Sequence, residues 1–419
     1  MTQGAIKPFE GLRLSAATCE WKNEQLPACF EAPLRTLLED VVATLATDQL
    51  PLAPTLVPFD KPNIVRPHHH RRAFYVRIPP DQGGGVIAIK GTEPFLQEEV
   101  RMMIASGLHS AWYPHLMMRL IDMYPAREFK VPLAETLREA HGEALIANEL
   151  VVAYARRYDA IPALPIPLAV MRLPDAISKS FMDLLRPELN PFPREVVELQ
   201  VEKGLGCYVY YYPTEPFPRV RDIAEELKGR GPARFEALAA KEPPIVTVRR
   251  WVDLFVRILA LGYVPAATTR EVLGQLIKSQ NVVVGGGFVD VDSARAMTDF
   301  KDWRELVEAY LFSLETFART IGDYLFDEGG EHITKSPFGF CMMWLSQIIG
   351  KSLADDLARY GGAVDPRVMA LAPMSGDLEG FLGFAERYQG ERRSEDFDRI
   401  ARSPKANKNP GLPEVVWVG

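Results

Sequence analysis

One stretch of the chain indicates the fold more strongly than the rest, and it reads Gln280-Asn281-Val282-Val283-Val284-Gly285-Gly286-Gly287-Phe288-Val289-Asp290-Val291-Asp292-Ser293-Ala294. Two short apolar runs flank three consecutive glycines, which is the pattern of a tight β-hairpin. Asn281 lies at the base of the first predicted strand, and Asp290 and Asp292 lie at the end of the second. Strand alternation predicts that both carboxylates point to the same face.

Oxygen ligands of this kind suit a hard cation. Mg²⁺ prefers oxygen and is usually held by one or two carboxylates together with substrate phosphates. The sequence therefore predicts a magnesium site formed by Asn281, Asp290 and Asp292. An ordinary surface hairpin that ends in turn-forming acids is the alternative interpretation.

A second hairpin is predicted upstream, with strands at residues 73–78 and 86–90 and a turn containing three glycines between them. Its second strand is Val86-Ile87-Ala88-Ile89-Lys90, which is apolar until its last residue. A lysine at this position either extends into solvent or binds an anion. In kinases, a strand of the Val-Ala-Ile-Lys kind carries the lysine that binds nucleotide phosphates.

An amphipathic segment at residues 133–158 predicts a long helix with several glutamates. A helix carboxylate would hold a phosphate-binding lysine in place. Glu149 is flanked by apolar residues in the sequence, so we interpret it as the glutamate least suited to solvent. A fully solvated helix face is the alternative.

The order of the remaining elements predicts an α+β protein. A tyrosine-rich strand is expected at residues 207–212, and the chain after it is mostly helical. Clusters of proline separate these pieces. We predict an N-terminal extension, a strand-containing lobe with the long helix, a helical lobe with the metal-binding hairpin, and a polar tail, at residues 1–67, 68–212, 213–390 and 391–419.

The ordered set of Lys90, a helix glutamate, Asn281 and Asp290 resembles the site of the protein-kinase-like superfamily. Within that superfamily the chain looks most like the selenoprotein O type of pseudokinase, whose members transfer AMP from ATP. The resemblance extends over roughly residues 74–327, as architecture and short motifs. It implies a bilobal kinase-like fold with a small strand-containing N-lobe and a mostly helical C-lobe.

Position by position, the resemblance implies that Lys90 contacts nucleotide phosphates and that Glu149 orients Lys90. It also implies that Asn281 and Asp290 hold the metal, and Asp292 is a further predicted ligand. ATP is the implied nucleotide, Mg²⁺ is the implied cofactor, and the acceptor is a small molecule or a protein.

The sequence departs from an ordinary protein kinase just before Asn281. Residues 274–280 contain neither Asp nor His, so the carboxylate that accepts the substrate proton in kinases is missing. Asp290 is not followed by glycine, and no GxGxxG loop precedes Lys90. We therefore expect an ATP- and Mg²⁺-dependent transferase of phosphoryl or adenylyl groups. The alternatives are a catalytically inactive scaffold that binds a partner protein, and an unrelated α+β protein whose hairpins imitate the motif.

The composition argues against several other classes of protein. Of 419 residues, 47% are hydrophobic, which is enough for a core and excludes wholesale disorder. A formal net charge of -7 argues against nucleic-acid binding, and four widely spaced cysteines argue against a disulfide framework or structural zinc. The sequence shows no signal-peptide pattern and no apolar stretch of about 18 residues, so we expect a cytoplasmic protein without a membrane span.

Overall fold

The structure, a computed structural model, describes part of the chain in detail. The described residues are 17–24, 26–45, 64–65, 73–91, 135–175, 178–179, 182–183, 198, 201–230, 233–265, 279–325 and 337–362. The chain divides into two compact units, Met1–Glu149 with Pro165–Thr214 and Leu150–Leu164 with Glu215–Gly419. The predicted first lobe contains the whole long helix, whereas this division assigns the second part of that helix to the second unit.

The first unit is built on a six-stranded antiparallel sheet, and with the helices of the chain this confirms the α+β class. The strands are β1 (Thr18–Lys22), β2 (Ile64–Val65), β3 (Ala73–Arg77), β4 (Val86–Lys90), β5 (Ile166–Arg172) and β6 (Gly206–Tyr212). Their order across the sheet is β1-β5-β6-β4-β3-β2. Both edge strands therefore come from the region predicted to be an N-terminal extension.

Strand β6 lies in the interior of the sheet, between β5 and β4, and every one of its residues is buried. Strand β4 is buried except at its last residue, Lys90, which pairs in register with Tyr208 of β6 and Ala73 of β3. Strands covered on both faces read as continuous apolar runs, which explains the Tyr- and Val-rich sequence of β6. On one face, helix α1 (Ala32–Leu45) contacts β5, and the ring of Phe30 packs against that of Tyr211 at 5.8 Å.

The long helix α2 (Leu137–Tyr158) begins at a capping box. The hydroxyl of Thr136 accepts a hydrogen bond from the Glu139 N–H at 3.1 Å, and the Glu139 carboxylate accepts one from the Thr136 N–H at 2.9 Å. These reciprocal bonds satisfy two N–H groups that the helix itself cannot satisfy. The cap fixes where the helix begins.

The second unit consists mainly of helices packed around aromatic side chains. Trp251 contacts Tyr324 at a ring distance of 4.9 Å, and Phe317 stacks on Phe255 at 4.8 Å and meets Phe288 edge-on at 6.3 Å. Among the described helices, none is both long and apolar enough to cross a membrane. The described helices of the second unit after α2 are α3 (Val220–Glu226), α4 (Ala233–Lys241), α5 (Pro244–Ala260), α6 (Trp303–Leu325) and α7 (Pro337–Tyr360).

The C-terminal part of α2 is tied to this helical core by polar contacts. Arg257 of α5 donates to the Tyr154 hydroxyl, and the Tyr158 hydroxyl donates to Asp356 of α7 at 3.1 Å. Arg157 also donates to Asp356, at 3.0 Å. Burial and the nearby Asp356 charge raise the pKa of Tyr158, so its hydroxyl remains a donor.

Four short strands lie among the described helices of this unit. The predicted hairpin is present as β8 (Val282–Val283) and β9 (Gly287–Phe288), while β7 (Tyr263–Val264) pairs with β10 (Arg295–Ala296). Gly286 in the hairpin turn has a φ of 107°, a conformation that side chains disfavour. A β-carbon at Gly286 would lie 2.7 Å from Cδ and 2.8 Å from Cβ of Arg250.

Substitution of Gly286 tests this packing. We expect Gly286→Ala to lower the free energy of unfolding by about 1–3 kcal/mol, because both its φ and its contact with Arg250 become unfavourable. Gly285→Ala is the matched control, since a β-carbon there meets only a Val283 methyl at 4.0 Å. Urea unfolding of the two variants measures the difference. Equal losses of stability would contradict the described turn.

Candidate functional site

Lys90 at the end of β4 lies beside two buried carboxylates. Its ammonium nitrogen Nζ forms an ion pair with Glu143 Oε2 and is 3.6 Å from Glu135 Oε1. The lysine side chain is 12% exposed and each glutamate side chain is 2% exposed. The predicted lysine thus lies in a largely desolvated cluster, which we call the Lys90 cluster (Lys90, Glu135 and Glu143).

The glutamate on α2 that pairs with Lys90 is Glu143, not the predicted Glu149. Glu149 is exposed. It lies six residues beyond Glu143, which turns its side chain by about 240° around the helix. Apolar neighbours in the sequence suggested burial of Glu149. Glu143, however, lies on the same face as the buried Ala140, Ala144 and Ala147, and this face carries it to Lys90.

Glu135 is held beside Lys90 by its own main chain. Its carbonyl oxygen accepts a hydrogen bond from the Gly206 N–H at 3.0 Å, and the next residue, Thr136, forms a β-bridge with Leu205. Gly91, with a φ of 95°, allows this close approach, since a β-carbon there would lie 2.5 Å from the Gly206 carbonyl oxygen. The start of α2 is therefore fastened to the start of β6.

The Lys90 cluster carries one positive and two negative charges. The field of Glu135 reaches the buried Cys207 thiol, whose pKa is raised by burial and further by this carboxylate. Removing one partner of a buried ion pair is strongly unfavourable, because it leaves a charge in a low-dielectric environment. An anion that binds to Lys90 therefore has to compete with the carboxylates of Glu135 and Glu143.

In the second unit, Asn281 and Asp290 come together at the base of the β8–β9 hairpin. Asn281 is 5% exposed, and its amide nitrogen Nδ2 donates to Asp290 Oδ2 over 3.4 Å. The Val289 N–H donates to the Asn281 carbonyl oxygen at 2.9 Å, which continues the strand pairing beyond β9. The two predicted ligands are thus neighbours on one end of the hairpin.

Asp290 has a left-handed backbone, with φ 71° and ψ 62°. Aspartate tolerates this conformation better than most residues, but it still costs free energy, and such residues occur often at functional sites. A 3-10 turn (Val291–Ser293) follows directly, so the strand alternation used to align Asp292 with Asp290 does not continue. The side chain of Asp292 lies outside the described part of the structure.

The chemistry of Asn281 and Asp290 fits Mg²⁺, because an amide oxygen and a carboxylate are both hard ligands. To bind, Asn281 would present its oxygen to the cation in place of the Nδ2 that now faces Asp290. Among the described residues, no group of three or more His, Cys, Asp or Glu could hold a metal by itself. Mg²⁺ does not require one, since phosphates and water supply most of its ligands in nucleotide sites.

The structure brings Lys90 together with Glu143, and Asn281 together with Asp290, each pair within its own unit. Residues 274–278, which lack the kinase base, and the polar tail at 391–419 lie outside the described residues. Glu135 and Glu143 are the site residues that sequence reasoning missed. For Glu143 the spacing of Ala140, Ala144, Ala147 and Leu150 was the available signal, because Glu143 falls on that apolar face of the helix.

Comparison with protein-family models, curated proteins and solved structures finds no match for this chain.

Replacing Lys90 tests whether the two carboxylates depend on it. We expect Lys90→Met to lower the free energy of unfolding by about 3–5 kcal/mol, because two buried carboxylates lose their cation. Adding Glu143→Gln should restore part of that loss. Lys241→Met is the control: its exposed pair with Glu226 predicts a loss below about 1 kcal/mol. Similar losses in the two single variants, measured by urea unfolding, would refute the description of a desolvated cluster.

The left-handed backbone of Asp290 predicts an unusual order of stabilities. Asp290→Gly and Asp290→Ala both remove the carboxylate, but we expect the glycine variant to be the more stable by about 1 kcal/mol. Asp299, in the 3-10 turn Met297–Asp299, is the control because its φ is not positive. There the Asp299→Ala variant should be at least as stable as the Asp299→Gly variant. Thermal unfolding of the four variants gives both comparisons. An alanine variant at position 290 that equals the glycine variant would argue against backbone strain.

Proposed function

We propose that this protein is an ATP- and Mg²⁺-dependent transferase of phosphoryl or adenylyl groups with a bilobal kinase-like fold. The observation that carries the proposal is the ion pair between Lys90, at the end of Ile87-Ala88-Ile89-Lys90, and Glu143, on the next described helix. Protein kinases use a strand lysine and a helix glutamate in this order to hold the α- and β-phosphates of ATP.

The second support is the pair Asn281 and Asp290, which flank a short hairpin and lie within hydrogen-bonding reach. In kinases, an asparagine before such a hairpin and an aspartate after it hold Mg²⁺. Bound with the nucleotide, Mg²⁺ would neutralise the charge that develops on the phosphates. Asp292 remains a predicted additional ligand.

The missing base restricts the acceptor. In either reaction an acceptor oxygen forms a bond to phosphorus: attack at the γ-phosphorus releases ADP, and attack at the α-phosphorus releases pyrophosphate. A carboxylate or phosphate acceptor brings no proton that must be removed, so positioning and charge neutralisation suffice. The chain therefore suits an acidic acceptor, on a small molecule or a protein, better than an alcohol.

Calorimetric titration with ATP, with and without Mg²⁺, tests the proposal. The wild-type chain should bind ATP with Mg²⁺, and the double variant Lys90→Met/Glu143→Gln should bind at least about tenfold more weakly, because a charge-assisted contact to phosphate is lost. This double variant avoids the unpaired Glu143 that Lys90→Met alone would leave. Asp290→Ala should lose the enhancement by Mg²⁺.

The controls separate these effects from unfolding. Thermal unfolding should show that each variant is folded, and Lys241→Ala should bind ATP as the wild type does. Undiminished Mg²⁺-dependent binding in Asp290→Ala would remove the metal assignment. Absence of ATP binding to the wild-type chain would remove the proposal as a whole.

An inactive scaffold is the second candidate, and the lack of Asp or His in residues 274–280 favours it. ATP labelled on the α- or the γ-phosphorus, incubated with candidate acceptors, distinguishes the two. Transfer of either label that disappears in the Lys90 double variant would exclude the scaffold and identify the transferred group. ATP binding without transfer to any acidic acceptor would favour the scaffold.

A further inference from the structure

The segment that leads into Asn281 is held by a residue far away in the sequence. Arg219 lies 61 residues before Gln280, and its guanidinium nitrogen Nη1 donates to the Gln280 carbonyl oxygen at 2.7 Å. Both residues belong to the second unit, and Arg219 is half-buried. A charged donor to a carbonyl oxygen makes a stronger hydrogen bond than a neutral one.

The main chain around Arg219 also pairs with the chain on the other side of Asn281. Arg219 forms an antiparallel β-bridge with Val283, and the Val284 N–H donates to the Pro218 carbonyl oxygen at 3.0 Å. Side chain and main chain of one residue therefore contact the chain both before and after Asn281. Such a double attachment restricts the position of Asn281 more than either contact alone.

Arg219 is itself well fixed, because it is the N-cap of α3. Its N–H donates to the Asp222 carboxylate at 2.8 Å, and its guanidinium nitrogen Nε lies 3.4 Å from the Pro216 carbonyl oxygen. The guanidinium thus has two main-chain acceptors on different segments. A group restrained in this way can restrain its partner in turn.

Helix α6 also contacts the segment that leads into Asn281. The Asp323 side chain hydrogen-bonds with the side chain of Ser279, the residue before Gln280. Burial raises the pKa of Asp323, and the bond with Ser279 opposes that rise. Asp323 of α6 thus contacts Ser279, and Arg219 at the start of α3 contacts Gln280. Both contacts lie on the segment that leads into Asn281.

We propose that Arg219 is a positioning residue. It holds the main chain of Asn281 so that the side-chain amide of Asn281 contacts Asp290. The functional part of this inference rests on the proposed Mg²⁺ site, while the structural part does not. Residues that orient metal ligands without touching the metal typically affect affinity by about 10–100-fold. Arg219 should therefore govern the affinity for Mg²⁺ although it is not a ligand.

The functional test is a calorimetric Mg²⁺ titration at saturating ATP. We expect about 10–100-fold weaker Mg²⁺ binding for Arg219→Ala and partial recovery for Arg219→Lys, which keeps a charged donor. Arg221→Ala is the control, since its exposed guanidinium pairs with Glu225 on the same helix. Unchanged Mg²⁺ affinity in Arg219→Ala would overturn the functional part.

Amide hydrogen exchange tests the structural part without any ligand. In Arg219→Ala, exchange of the Val289 N–H, which donates to Asn281, should accelerate. The Met297 N–H, which donates to the Gly262 carbonyl oxygen at 2.7 Å, should keep its rate and serves as the reference. Unchanged exchange at Val289, or equal acceleration at both amides, would overturn the positioning role.

The two measurements keep the proposals separate. If the wild-type chain binds no Mg²⁺ with ATP, the proposed function fails, and the exchange of Val289 still decides whether Arg219 positions Asn281. If Mg²⁺ binds and Arg219→Ala changes neither affinity nor exchange, the inference about Arg219 fails while the proposed function stands.

Discussion

The buried ammonium group of Lys90 is the interaction on which the arrangement of the first unit depends. Lys90 is the last residue of β4. Its two carboxylate partners are Glu135, in the turn before α2, and Glu143, in the second turn of that helix. A buried charge tolerates little displacement of its partners, because separation leaves each ion poorly solvated. Strand β4, the start of α2 and the start of β6 therefore have to keep their relative positions, and the capping box and the Glu135–Gly206 hydrogen bond serve that requirement.

In the second unit the corresponding constraint concerns the backbone of a short hairpin. Two-residue strands have few hydrogen bonds of their own, so their position depends on neighbours. The Phe288 N–H donates to the Ala163 carbonyl oxygen at 3.0 Å, and Arg219 bridges to Val283. These outside contacts compensate for the left-handed conformation of Asp290, which the isolated hairpin would not favour.

Elements with a continuous apolar run or a repeating pattern were predictable from sequence. The strands predicted at residues 86–90 and 207–212 are β4 and β6, and the helix predicted at residues 133–158 is α2, each within a few residues. The edge strand β1 is as long as β4, but none of its residues is buried, so it has no apolar run, and β2 has only two residues. Both are defined by their pairing with β5 and β3. Helices α3 and α4 lie in the part of the chain predicted to be mostly helical, but no bounds were predicted for them, because few residues leave little periodicity to detect.

The candidate site shows the same limit at finer scale. Sequence order identified Lys90, Asn281 and Asp290 as candidates, and the structure places each near a partner of suitable chemistry. The choice among glutamates required the angular phase of α2, which the spacing of its buried residues gives and the immediate neighbours of Glu149 do not. The relation of Asp292 to Asp290 could not be deduced, because a left-handed residue interrupts the alternation on which it relied. The roles of all these residues in binding stay predictions.

The hairpin also carries an optical consequence. The indole nitrogen Nε1 of Trp251 donates to the Val283 carbonyl oxygen at 2.7 Å, and Val283 lies between Asn281 and Asp290 in the chain. An indole is sensitive in its excited state to the hydrogen bond that its N–H makes, and this one is fully buried, away from quenching by water. Trp251 is one of six tryptophans in the sequence, and it places a fluorophore directly against the hairpin that carries Asn281 and Asp290.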